Sequence, residues 1–235
     1  MKSQVVQKLK KLSQDSYNEI AAEFDATRKK YLWPEINKFS KNVNEGQKVL
    51  DAGCGNGRLL EALQDKKIEY LGIDNSTALL EKARLNYPDY NFLEVDLSDN
   101  NNLKMTGILD KQFDFIFCIA VLQHIPSFKL RVETLKNFKQ MLAPGGEIII
   151  SNWNLWSSRK RNLIIKQFFK KIIGLNKLDF GDLIFPWKSG DGKEISNRYY
   201  HAFGHVELKR LSRKAGFKRI IVKKDPHNYW LILKN

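Results

Sequence analysis

The sequence predicts an α/β fold with a mostly parallel sheet and a C-terminal antiparallel hairpin. Three observations lead there. Short apolar runs, the mark of buried parallel strands, alternate with segments whose apolar residues recur at helical spacing. A glycine-rich turn, Gly53-Cys54-Gly55-Asn56-Gly57, joins the first run to a helical segment. The last two runs flank Asp225-Pro226-His227, a turn signal.

The elements follow in order. Residues 4–24 and 34–40 place Val5, Leu9, Leu12, Tyr17, Ile20, Ala21 and Phe24 at helical spacing, so the glycine-free first 45 residues read as helices over the sheet edge. Val49-Leu50 is a strand ending at Asp51, and Arg58 to Leu63 starts a helix. Tyr70 to Ile73 is the second strand, ending at Asp74. Ser76 to Asn86 is a helix capped by Asn75 or Ser76. Asn91 to Val95 is a third strand ending at Asp96, and Phe113 to Ala120 a central one. Lys129 to Met141 is helical and stops at Pro144-Gly145-Gly146, before strand 147–150. Residues 152–195 break the alternation with an aromatic, basic stretch of little strand signal. Val206 to Lys214 is a helix ended by Gly216, and Lys218–Lys223 with Tyr229–Leu233 makes the final pair.

Gly53, Gly55 and Gly57 let the backbone approach a ligand closely, and the carboxylate of Asp74 can accept hydrogen bonds from both ribose hydroxyls. Asp51 precedes the glycines by two residues and is expected to face the ligand. A carboxylate there repels pyrophosphate and suits the ammonium and sulfonium of S-adenosylmethionine. This D-x-G-x-G-x-G pattern resembles the first motif of the class I methyltransferases. It implies a Rossmann-like class I methyltransferase fold, a seven-stranded sheet with the terminal hairpin, and S-adenosyl-L-methionine as cofactor.

At 235 residues and 43% hydrophobic, the chain can bury the core of one enzyme-sized domain. No apolar run is long enough for a membrane span, and the basic N-terminus is too polar for a signal peptide. Cys54 and Cys118 have neither metal-ligand nor disulfide spacing, so no metal is expected, and a reducing cytoplasm is. The charge is uneven: residues 151–235 hold 19 Lys and Arg against 6 Asp and Glu, whereas residues 1–150 hold 21 against 20. A C-terminal region of +13 points to a polyanionic partner, with a solvated basic surface as the alternative and an anionic membrane surface as a third reading that no strongly amphipathic helix accompanies.

Further segments resemble the tRNA methyltransferases that esterify 5-carboxymethyluridine at the wobble position: Tyr17-Asn18-Glu19-Ile20-Ala21, Trp33-Pro34, Phe113-Asp114-Phe115, Pro186-Trp187 and Arg198-Tyr199-Tyr200-His201. The resemblance runs from about residue 15 to 233. It implies a single methyltransferase domain with a helical cap (1–45), a cofactor-binding core (46–151), a basic aromatic substrate insertion (152–203) and a last helix and hairpin (204–235). It also implies tRNA as partner and, as in eukaryotic members, a small zinc-binding activator subunit. One departure stands out: the family's His-His is Gln123-His124 here.

The cofactor residues expected on this basis are Tyr17, Arg28, Asp51, Gly53, Cys54, Gly55, Asp74, Asn75, Asp96, Leu97 and Ile119. Arg28, His124, Arg198 and His201 are expected to supply a modest positive field for the acceptor carboxylate, and Tyr199 and Tyr200 to close the site or stack on the uracil. Such a carboxylate is ionised at neutral pH, so alignment matters more than a base. Arg159, Lys160 and Arg161, with Lys166, Lys170 and Lys171, are expected to grip phosphates above an apolar underside of Leu163, Ile164, Phe168 and Ile172. Two other readings stay open: a methyltransferase of a small carboxylic acid or phenol, and a non-catalytic RNA-binding protein of this fold.

Overall fold

The structure, a computed structural model, describes residues 1–28 (Arg28 by its backbone), 32–157, 160–189 and 192–235. The chain opens with helices α1 (Ser3–Glu19), α2 (Ala21–Arg28) and α3 (Pro34–Ser40). Then come β1 (Lys48–Ala52), β2 (Glu69–Asp74), α4 (Thr77–Asn86), β3 (Asn91–Glu94), α5 (Asn100–Met105), β4 (Phe113–Ile119), α6 (Phe128–Gln140) and β5 (Leu142–Trp153). The rest is α7 (Arg161–Ile172), the hairpin β6 (Asp182–Lys188) and β7 (Glu194–His201), α8 (His205–Lys214), β8 (Arg219–Lys224) and β9 (Asn228–Lys234).

Seven strands pair in the order β3-β2-β1-β4-β5-β9-β8, with β1 to β5 parallel and β9 antiparallel to both β5 and β8. The order reverses beside β1, so β1, β2 and β4 meet at a switch point, where open α/β sheets bind ligands. Alternation along β4 separates the two cores. Phe115 and Phe117 pack with Ile36, Leu60 and Trp230 on one face, while Ile116 and Cys118 pack with Leu135, Phe138 and Leu208 on the other.

Three expectations need correction. Residues 58–62 form a 3₁₀ turn rather than the start of an α-helix, because the left-handed Gly57 before it (φ +80°) tightens the entry. β5 begins at Leu142, not after the Pro-Gly-Gly segment. The insertion contains a hairpin, β6–β7, which forms a separate two-stranded sheet. Pro186 within β6 argues against a central strand, yet an edge tolerates it because no ladder donor is needed there.

Candidate active site

A cleft opens at the carboxyl ends of β1, β2 and β4, lined by Gly53, Gly55, Asp74, Asn75, Asp96, Leu97 and Ile119 from the sheet side. Tyr17 and Lys10 of α1 face them, and Arg198 of β7 and His124 close one end. It holds about 1030 Å³ of empty space, part of it open to solvent.

The glycine turn is shaped by its backbone. Gly53 lies at φ +82°, and a Cβ there would stand 2.3 Å from a methyl of Val121, so only glycine fits both the conformation and the space. Across the cleft, Ala120 is also left-handed, at φ 59°, a conformation that costs a non-glycine residue roughly 1–2 kcal/mol. Its N–H is held by the carbonyl and hydroxyl of Ser151, each at 3.0 Å. Strain fixed this way at the end of a central strand keeps the cleft floor in one shape.

Asp74 accepts from the Gly55 N–H (2.9 Å) on one carboxylate oxygen and from the Ser76 N–H (2.9 Å) on the other. Burial raises its pKa, and those two N–H donors oppose the rise. Each oxygen keeps a further lone pair for a ligand hydroxyl. Asp96 is more fully engaged: Ser98 donates to one oxygen through N–H (2.8 Å) and hydroxyl (2.6 Å), and Lys10 pairs with the other at 2.9 Å. Gln14 donates to the Asn75 carbonyl at 2.8 Å, and Asn18 accepts from the Ser76 hydroxyl at 2.7 Å. α1 is thus latched across the side of the cleft formed by the ends of β2 and β3. Lys10 and Ser13, both lining residues, were missed by sequence reasoning. Their spacing to Tyr17 (10, 13, 17) puts the three on one helical face, a signal that was available.

Asp51 does not face the cleft. It is 2% exposed beneath the glycine turn, accepting from the Tyr70 hydroxyl at 2.9 Å. Burial raises its pKa from 3.8 to about 7, against the Tyr70 hydrogen bond and with help from the nearby Asp74 charge. The fold therefore prefers the protonated acid. That stability is full below the unfolded pKa near 3.8 and is lost as pH rises through about 7. Asp51→Asn is expected to gain in Tm over wild type as pH rises from 4 to 7. A difference independent of pH in thermal melts contradicts the assignment. Cys54 is likewise buried and outside the lining residues, its thiol near the Gly55 carbonyl at 3.8 Å.

The Arg198-Tyr199-Tyr200-His201 segment splits in two because it is a strand. Alternation sends Arg198 and Tyr200 to one face and Tyr199 and His201 to the other. On the far face, His201 sits with Nδ1 2.7 Å from Asp182 and Nε2 2.9 Å from Glu207. Tyr199 donates to Asp182 at 2.6 Å and accepts from Arg131 at 2.8 Å, and Arg131 also pairs with Asp182 at 3.3 Å. Burial works to raise the Asp182 pKa, but its His201, Arg131 and Tyr199 neighbours hold it below the ordinary value. His201 and Tyr199 therefore belong to a buried network that clamps the hairpin to α6 and α8, not to the cleft.

On the near face Arg198 is 2% exposed and lines the cleft. Its guanidinium carbon stands 4.5 Å from the Trp187 ring, 5.1 Å from Tyr17 and 5.2 Å from Tyr200, a cage of three cation–π contacts. Its Nε has no hydrogen-bond partner, and no carboxylate pairs with it among the described residues. Tyr200 stacks on Phe185 at 4.2 Å and 6°, and on Trp153 at 5.3 Å. It walls the site from behind and is not itself a lining residue.

His124 is not a cation. Its Nδ1 donates to the Tyr199 carbonyl (2.9 Å), so Nε2 accepts from the Tyr17 hydroxyl (2.9 Å). Burial, then the Arg198 charge, lower its pKa to about 3 against that carbonyl bond. Gln123 is fully buried, accepting from the Trp153 N–H at 2.6 Å. The positive field expected from four residues thus comes from Arg198 alone among those described. The Arg28 side chain and Arg159 lie outside the described residues. Arg161 is exposed at the start of α7, and the Lys160 ammonium lies 4.2 Å over the Phe185 ring. The apolar underside is also narrower than expected: Ile164 is buried with Leu163 beside it, whereas Phe168 and Ile172 are exposed.

This chain is similar to characterised proteins over most of its length. A family described as "Methyltransferase domain" matches residues 24–221. The Saccharomyces cerevisiae protein named tRNA (carboxymethyluridine(34)-5-O)-methyltransferase is 37% identical over 145 residues, which are 62% of this chain and 49% of that protein. The Schizosaccharomyces pombe protein of the same name is 26% identical over 92% of each chain. A solved structure titled "DhpI-SAM-HEP complex" superposes over all of both chains with a TM-score of 0.67 at 19% identity, which shows the shared fold. The match thus spans about half the length of the yeast relative. With the sheet order, the glycine turn and the strand-end acid in place, this chain belongs to the methyltransferase-domain family and has the class I methyltransferase fold.

Proposed function

We propose that this methyltransferase esterifies the carboxylate of a 5-carboxymethyl group on the wobble uridine of tRNA, with S-adenosylmethionine as donor. The observation that carries the reading is Arg198, a buried cation caged by three rings at the cleft with an unpartnered Nε. A buried charge without a partner is costly, and an anionic acceptor supplies that partner.

The residues present fit the cofactor. Asp74 keeps lone pairs for two ribose hydroxyls, the glycine turn gives a backbone surface without side chains, and Leu79, Val95, Leu97 and Ile119 offer an apolar slot for a purine. When bound, the cofactor supplies an electrophilic methyl group on a cationic sulfur. The protein's share is to hold a carboxylate oxygen in line with that methyl and keep water out. Arg198 can attract the carboxylate while its ring cage limits its reach, which avoids a tight two-point pair that would occupy the attacking oxygen. Among the described residues lining the cleft, His124 is no strong base: both its nitrogens are engaged and its pKa is about 3. A phenol would need its proton removed, so the site suits an acceptor that is already ionised.

The two yeast relatives bear the name of this reaction, and the +13 balance of residues 151–235 supports a polyanionic substrate. An activator subunit belongs to the same reading. The edge strand β3 and α4 beside it expose Leu93 and Leu85, an apolar sheet edge such a subunit would cover. Replacing Arg159, Lys160 and Arg161 together by Gln is expected to weaken tRNA binding and flatten its salt dependence, because fewer counterions are released. Cofactor affinity is expected to stay unchanged. Binding titrations across a salt series check this, and unaltered tRNA affinity contradicts the assignment. The reaction itself is tested by mass spectrometry of tRNA nucleosides after incubation with labelled cofactor, where a labelled methyl ester is expected.

A further inference from the structure

Helix α7 carries one broad apolar side, and only its first turns are packed. Ile164 (2% exposed) sits on β6 with Leu183 and Phe185. Beyond that first contact the same broad apolar side turns to solvent: Phe168 is 44% exposed, Phe169 and Ile172 60% each, and Phe180, just beyond the helix, 55%. The three phenylalanines form one cluster. Phe168 and Phe169 meet edge to face at 5.7 Å, and Phe168 and Phe180 lie 5.1 Å apart. The same stretch of sequence carries Lys160, Arg161, Lys166, Lys170, Lys171 and Lys177, and no acid occurs between Lys160 and Leu178. Soluble proteins rarely leave such a patch without a partner.

We infer that this face is a stacking platform for unpaired bases next to the target uridine in an RNA loop. The inference rests on the reading above that the substrate is RNA. The charge selects a polyanion, and the rings select one whose bases are open to stacking, a single strand rather than a duplex. A duplex would satisfy the lysines and leave the rings in water. Continuity with the cleft favours RNA over an anionic lipid surface. The Lys160 ammonium lies 4.2 Å over Phe185, Phe185 stacks on Tyr200, and Tyr200 is 5.2 Å from the Arg198 guanidinium and 4.6 Å from the His124 ring. Tyr200 and Phe185 are themselves buried, so these contacts fix α7, which bears the exposed rings, to the wall of the cleft that Arg198 lines.

The test is fluorescence anisotropy with two unmodified RNA probes, a labelled anticodon stem-loop and a fully paired duplex of equal length. Wild-type protein is expected to bind the stem-loop more tightly. Phe169→Ala with Phe180→Ala is expected to weaken stem-loop binding about tenfold, within the range for lost base stacking. Duplex binding and the salt slope should stay unchanged, because no phosphate contact is removed. Both side chains are more than half exposed, and a thermal melt confirms that the variant is folded. Equal affinity of wild type for the two probes, or unaltered stem-loop binding by the variant, overturns the proposal. So does a variant that keeps its RNA affinity but no longer sediments with phosphatidylserine vesicles, which assigns the face to lipid. No methyl group is transferred in this assay, so its failure leaves the esterification reading standing. Platform-dependent RNA binding without transfer to carboxymethylated tRNA would overturn that reading alone.

Discussion

Arg198→Met is expected to lower kcat/KM for a carboxymethylated tRNA by about 10²–10³-fold while leaving cofactor affinity within error. Methionine fills much of the same space between Trp187, Tyr17 and Tyr200, so the ring cage need not collapse. What disappears is the charge. Truncating one partner of a buried, hydrogen-bonded charge pair costs about 2–5 kcal/mol, and each 1.4 kcal/mol is tenfold in rate. Arg198→Lys should recover only part of the loss, because an ammonium lacks the planar face that the three rings hold. Steady-state kinetics with calorimetric cofactor titration separates the two roles. A variant that loses cofactor binding and turnover together would place Arg198 in the cofactor site instead.

The second large effect is at Asp74. Asp74→Ala is expected to raise the cofactor dissociation constant by about 10²-fold or more, because hydrogen bonds to a charged group contribute about 1.5–3 kcal/mol each and two ribose hydroxyls are involved. Part of the loss would come through the protein itself. The same carboxylate accepts from the Gly55 and Ser76 N–H groups, so its removal also loosens the glycine turn and the start of α4. Asp74→Asn, which keeps the size and one acceptor oxygen, should fall between alanine and wild type. Calorimetric titration reads the effect, and cofactor affinity within threefold of wild type in Asp74→Ala would remove this carboxylate from the site.

How much of this was legible in the sequence depended on what kind of signal each part carries. The central sheet was legible because its parallel strands are apolar on both faces, and β4, Phe113–Ile119, reads as an unbroken run. Strand-end acids were legible at Asp74 and Asp96, which line the cleft. Asp51 was placed wrongly because sequence fixes its position at a strand end but not which way its carboxylate turns. Tyr70 on β2, two residues before Asp51's register partner Gly72, decides that by donating its hydroxyl. The β6–β7 hairpin was illegible: Pro186 argues against a strand, and β7 mixes polar and aromatic residues without clean alternation. Missing it had a direct cost at the site. Resemblance groups Arg198, Tyr199, Tyr200 and His201 as one motif, but a strand turns successive residues to opposite faces. Only Arg198 and Tyr200 could share the cleft side. His124 shows the remaining gap, since its neutrality follows from burial and the nearby Arg198 charge, both supplied by segments distant in sequence.

The central claim is that the cleft methylates a carboxylate presented by tRNA. The most direct measurement is transfer of labelled methyl from S-adenosylmethionine to three acceptors: tRNA bearing 5-carboxymethyluridine at the wobble position, the same tRNA unmodified, and a panel of small carboxylic acids. The carboxymethylated tRNA is predicted to gain one base-labile methyl ester per molecule, with the unmodified tRNA and the small acids far behind. Efficient methylation of a small acid, with none on carboxymethylated tRNA, would contradict the account.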